Sequence, residues 1–182
     1  HVGGVMPLEV SIDTKKPGGV LKTATLKRIE DFQSRLDEYT ELSKSLSVAD
    51  GLKFARQAYF NGDESQYKLP GRQEQAFILS AIEEKAGNSL LLKMLIDSTR
   101  QKTRINMRVA DIGVTRMMTL QDNLQKDLDH FFPAGEYRAI LTGSSLTFTL
   151  GTHYLVRNLF VSLGLAIFLI SLFMAWMFSS SR

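Results

Sequence analysis

Arg104-Ile105-Asn106-Met107-Arg108-Val109 decides the fold. Ile105, Met107 and Val109 alternate strictly with Arg104, Asn106 and Arg108. A period of two puts three apolar side chains on one face and three polar ones on the other, which predicts a half-buried strand. A sheet with one dry face needs helices to cover it. The neighbouring sequence supplies them.

Downstream, Asp111-Ile112-Gly113 turns the chain into a helix. Met117, Leu120, Leu124, Leu128 and Phe131 recur on one stripe, and Met117 and Met118 read as one core and one boundary residue. Pro133-Ala134-Gly135 stops this helix. Tyr137, Ala139 and Leu141 then alternate as a last strand, which Thr142-Gly143-Ser144-Ser145 breaks. Upstream, Leu8, Val10 and Ile12 alternate with Glu9, Ser11 and Asp13 as a first strand ended by Pro17-Gly18-Gly19. A helix follows with Leu26, Ile29, Phe32, Leu36 and Tyr39 on one face. A short strand over Glu41–Leu46 completes this half.

Between the halves lies a helical insertion, residues 47–97. Ser47 with Asp50 three residues on reads as a capping box. The helix it opens carries Leu52, Ala55, Ala58 and Tyr59 toward the core. Asn61-Gly62-Asp63 and Pro70-Gly71 bound a loop. A second helix over 73–85 presents Phe77, Ile78, Ala81 and Ile82 on one face, and Gly87-Asn88 terminates it. Without the insertion the order is strand, helix, strand, strand, helix, strand. That is the split βαβ pattern of a ferredoxin-like α+β domain, expected over residues 1–150.

Residues 151–182 have a different composition. From Leu159 to Phe178 the chain has no charge and only two serines, Ser162 and Ser171. A helix of that length reaches about 30 Å, the thickness of a bilayer's hydrocarbon core. One transmembrane helix is therefore expected, with the lipid bilayer as partner. His153, Tyr154 and Arg157 stand at the near boundary, with Trp176 near the far one and Arg182 beyond it. Gly164, Ser171 and Ala175 share one helix face, a small-residue stripe on which a neighbouring helix can pack closely.

The chain lacks cysteine, so disulfides and thiolate metal sites are excluded. Its net charge is +3, with basic and acidic residues interleaved as in Lys27-Arg28-Ile29-Glu30-Asp31. Nothing resembles a nucleic-acid footprint, and no nucleic-acid partner is expected. His1, His130 and His153 have no ligand at metal-binding spacing. Gly143-Ser144-Ser145 is not a nucleophile elbow, and neither Gly3-Gly4 nor Gly18-Gly19 makes a phosphate loop. Glu83-Glu84 and Asp127/Asp129 read as solvated helix faces rather than acid–base pairs. No catalytic, cofactor or metal site emerges, and the chain is not expected to be an enzyme.

The pattern resembles the resistance-nodulation-division (RND) superfamily, and within it the MMPL-type exporters of lipids and hydrophobic compounds. The resemblance is carried first by Gly3-Gly4-Val5-Met6-Pro7-Leu8-Glu9-Val10-Ser11-Ile12-Asp13-Thr14. It continues in Ser45-Leu46-Ser47-Val48-Ala49-Asp50-Gly51-Leu52-Lys53, in Tyr59-Phe60-Asn61-Gly62-Asp63 and in Tyr67-Lys68-Leu69-Pro70. Thr142-Gly143, Tyr154-Leu155-Val156-Arg157-Asn158-Leu159 and Ser162-Leu163-Gly164-Leu165-Ala166 extend it into the apolar helix. The exit, Met177 to Arg182, departs from the family in having Ser179 where arginine is usual.

The resemblance implies a periplasmic porter domain and the membrane helix after it, within a proton-driven exporter of a bacterial inner membrane. Its partners would be a hydrophobic or lipid substrate, the remaining transmembrane helices and a second porter domain, with room for a homo-oligomer. The family's proton-relay acids match no position here. The chain does not open on methionine and stops four residues past the apolar run, so a piece of a longer polypeptide is expected. The alternative is a single-pass, membrane-anchored adaptor or ligand-binding module.

Overall fold

The computed structural model describes residues 5–85 and 95–179. The Gly3-Gly4 start, the Gly87-Asn88 stop and residues 180–182 lie outside them. The chain is α+β and divides into two compact units, His1–Ser145 and Leu146–Arg182.

In the first unit, β1 (Val5–Asp13), β2 (Lys102–Ala110) and β3 (Arg138–Thr142) form an antiparallel sheet in the order β2-β1-β3. Val10 stands opposite both Ile105 and Leu141, so the apolar halves of all three alternations meet on one face. Leu8, Val10, Ile12, Ile105, Met107 and Val109 are buried there. Two helices cover them. α1 (Thr23–Leu36) buries Leu26, Ile29, Phe32 and Leu36, and α4 (Val114–Phe131) buries Met117, Leu120, Leu124 and Leu128. These side chains form one core with the strand residues. Met118 is half-buried at its boundary, as expected. Tyr39 lies past the end of α1. Phe32 meets Phe131 and Phe132 edge-on, at 5.6 and 5.5 Å between ring centres, a favoured aromatic geometry.

Glu41–Leu46 is the expected strand that does not form as one. Leu42 bridges to Val109, but Leu46 bridges to Asn106. Between those bridges, three residues on one side, Ser43–Ser45, thus answer two on the other, Met107 and Arg108. That mismatch is a β-bulge at Lys44-Ser45. The segment still lies along the outer edge of β2. Ser43 and Leu46 donate their N–H groups to Arg108 and Asn106, and Ala110 donates to Glu41. The Ser43 hydroxyl accepts the Arg108 N–H at 3.0 Å. Ile96 bridges to Thr103 farther along the same edge.

Next come α2 (Val48–Tyr59) and α3 (Arg72–Lys85). The capping box at Ser47 and Asp50 is present: the Ser47 Oγ accepts from the Ala49 N–H, and Asp50 accepts from the Ser47 N–H at 2.8 Å. Asp50 also accepts from the Gln33 amide at 2.6 Å, which ties α2 to α1. Leu52 and Ile78 are buried as expected. Ala58, Tyr59 and Phe77 are not; Tyr59 is 51 % exposed and Phe77 56 %. Their rings pack on each other instead, 5.4 Å apart. Only the backbone of Ala81 and Ile82 is described.

β3 passes directly into α5 (Ser144–Ser179), a 36-residue helix beginning seven residues before the expected entry at Gly151. Gly143 makes the junction at φ +129°. A Cβ there would lie 2.8 Å from the Pro7 carbonyl oxygen, so only glycine fits without a shift.

Candidate functional site

Among the described residues, two surfaces stand out: the apolar length of α5 and the face of the sheet opposite α1 and α4. Tyr154–Phe178 is long and apolar enough to cross a membrane, and none of it is buried. At 1.5 Å per residue these 25 residues span about 37 Å, more than a hydrocarbon core requires. Its two serines need no outside partner. Ser162 donates to the Leu159 carbonyl at 2.9 Å and Ser171 to that of Ile167 at 2.8 Å. A hydroxyl satisfied within its own helix can enter lipid at little cost. Gly164, Ser171 and Ala175 fall within about 40° of one another around the axis, as their spacing requires. All three are exposed, and a Cβ at Gly164 would meet nothing within 4 Å. Trp176 is exposed near the far end.

The sheet's second face is polar because the alternation makes it so. β2 turns Lys102, Arg104, Asn106 and Arg108 outward, β1 turns Glu9, Ser11 and Asp13, and β3 turns Arg138 and Ile140. Lys102 pairs with Asp13 and Arg104 with Glu9, each at 3.8 Å. The Gln101 amide, donating to Asp13 at 2.8 Å, is the main cause that holds the Asp13 carboxyl below its ordinary range. Among the described residues, cavities of about 380 and 530 Å³ open on this face, with Glu9 and Asn106 lining both. The Asn106 Oδ1 is buried with no hydrogen-bond partner among the described residues.

Elsewhere, several ionisable groups tie elements of the first unit together. Asp127 is not simply solvated. It accepts from the Tyr39 hydroxyl at 2.6 Å and the Arg35 Nε at 3.1 Å, joining the end of α1 to α4. Burial, reinforced by the Asp127 hydrogen bond, pushes the Tyr39 phenol up to about 12. Asp129 is exposed and accepts from Gln125. His130 is exposed in the last turn of α4, and the side chain of His153 lies outside the described residues. Among the described residues, no three His, Asp or Glu side chains gather to hold a metal.

The sequence showed the outward polar row on β2. It did not show the cavity beside it, because that depends on the bulge at Lys44-Ser45. No protein-family model matches this chain, and no curated protein or solved structure does either.

Proposed function

We propose that the chain is the porter domain and following membrane helix of an RND exporter of the MMPL type, moving lipids or hydrophobic compounds. One observation supports this above the rest, the interleaving of the strands. With Glu41–Leu46 lying antiparallel to β2, the lateral order is β3, β1, β2, Glu41–Leu46. Counted as a bulged fourth strand, Glu41–Leu46 would complete one βαβ unit with β1 and α1, and β2, α4 and β3 would make the other. Each unit's strands would then be separated by one strand of the other, as in a split βαβ domain. That is the arrangement the motif resemblance implies for a porter domain, and the isolated bridges support it. The exposed apolar helix supports a bilayer as its setting. Gly164, Ser171 and Ala175 would seat another helix of the same exporter.

In this reading residues 1–150 are periplasmic and the coupling acids lie in other membrane helices. A span without ionisable side chains from Leu159 to Phe178 cannot relay protons. Ser65 is exposed and reports the topology. In the native full-length polypeptide, Ser65→Cys should react with an impermeant thiol reagent in intact cells. Labelling only after lysis would overturn the periplasmic placement. Vesicles carrying that polypeptide should expel a hydrophobic dye until the proton gradient collapses. Efflux indifferent to the gradient would overturn the exporter.

A further inference from the structure

The larger cavity on the open sheet face, about 530 Å³, lies between the first half of β1 and the bulged Ser43–Leu46 segment. Its volume is in the range of small-molecule sites. Arg108 and Lys44 both line it and both are exposed. Neither has a carboxylate within ion-pair reach among the described residues. The carboxylate lining the cavity among the described residues is Glu9, which is paired with Arg104 at 3.8 Å. Asn106 lines the cavity too, and its amide oxygen is buried without a partner among the described residues. Its amide N–H groups are the donors it can offer a ligand there. A guanidinium, an ammonium and an amide N–H are all donors, and two of them carry charge. Such a set selects an oxyanion: the guanidinium fork matches two of its oxygens and the ammonium acts as a point charge. Leu46, 47 % exposed, and the exposed Pro7 add apolar surface beside these donors.

We propose that this cavity binds the phosphate of an alkyl phosphate ester. Arg108, Lys44 and Asn106 hold the phosphate, and Leu46 and Pro7 receive the first carbons of the chain. The site does not rest on the exporter reading, since a membrane-anchored binding module would use it equally. The bulge is part of its construction. In a regular strand Lys44 would hold a different register against β2, and bulges commonly re-aim a side chain beside a binding site.

The test is calorimetric titration of the full chain in a neutral detergent, with hexyl phosphate, inorganic phosphate and hexyl glucoside as probes. Hexyl phosphate should bind more tightly than inorganic phosphate, and hexyl glucoside should not bind. Arg108→Gln should weaken hexyl phosphate at least about tenfold and Lys44→Gln by a smaller factor. Arg138→Gln, an outward cation away from the cavity, should leave binding unchanged. Melting curves matching the parent would establish that each variant is folded. Three results would overturn the site: no binding of either phosphate, binding indifferent to Arg108→Gln, or an equal loss in Arg138→Gln. Inorganic phosphate binding as tightly as hexyl phosphate would overturn the alkyl part.

Discussion

A methyl group at Gly19 would fall 2.2 Å from the Thr14 hydroxyl oxygen. Thr14 cannot easily yield, because that hydroxyl bonds the Lys16 and Gln101 carbonyls at 3.0 and 2.9 Å. Gly19→Ala should therefore cost about 1–3 kcal/mol by urea denaturation, the usual penalty of overpacking. Gly135→Ala, which meets nothing within 4 Å, should stay within about 0.5 kcal/mol of the parent. A second expectation concerns Tyr39. Its folded pKa is raised to about 12 from an ordinary 10.0. Between those values the unfolded chain has lost the phenolic proton and the folded chain has kept it. Stability from this group is thus complete below about pH 10 and falls as pH rises toward 12. Tyrosinate absorbance should show a phenol titrating at about 12, and Tyr39→Phe should remove both that step and that part of the pH dependence. Residues acting on near neighbours were legible in the sequence, as Ser47 and Asp50 were, because a cap is a four-residue event. The meeting of Lys44 with Arg108 was not, since it depends on register across 64 positions of chain.

The strands were the easiest elements to read, and the reason is geometric. Alternation reports burial directly when one face is dry, and β1 and β2 pair through nine residues without a slip. Ile105 is wholly buried between them and the helices. Ile105→Asp would place an unpaired carboxylate in that core and should cost about 3 kcal/mol or more. Arg104→Gln, one position along and facing out, should cost less than about 0.5 kcal/mol. Equal melting of Ile105→Asp and the parent would contradict the buried assignment. Glu41–Leu46 was harder, because its bulge spoils the period that marks a strand. The α2–α3 pair was partly misread for another reason. An apolar stripe predicts burial only where a partner surface reaches it, and here Leu52 and Ile78 are covered while Tyr59 and Phe77 are left to each other.

At the scale of the whole molecule, the two units differ in where their apolar residues lie. The first has a complete core of its own, drawn from β1, β2, α1, α2 and α4 with Phe132 and Tyr137. The second is one helix whose described residues from Tyr154 to Phe178 are all exposed. Its apolar character was legible because no soluble element needs 20 uncharged residues in a row. The earlier start at Ser144 was not, since Gly143 and two serines read as a loop. These facts set a last expectation. The full chain presents about 30 Å of uncharged apolar helix, from Leu159 to Phe178, that water does not tolerate, so it should remain with membranes through alkaline carbonate washing and leave them only in detergent. A chain stopped after Ser145 loses that helix and none of the core, so it should be soluble without detergent. Its melting temperature should lie within about 4 °C of the full chain's in a neutral detergent, corresponding to less than about 1 kcal/mol. If the shortened chain instead aggregates or melts far lower, α5 supplies packing to the sheet domain and cannot be a free membrane anchor. If the full chain washes out in carbonate, Tyr154–Phe178 does not span a bilayer, and the exporter reading loses its setting.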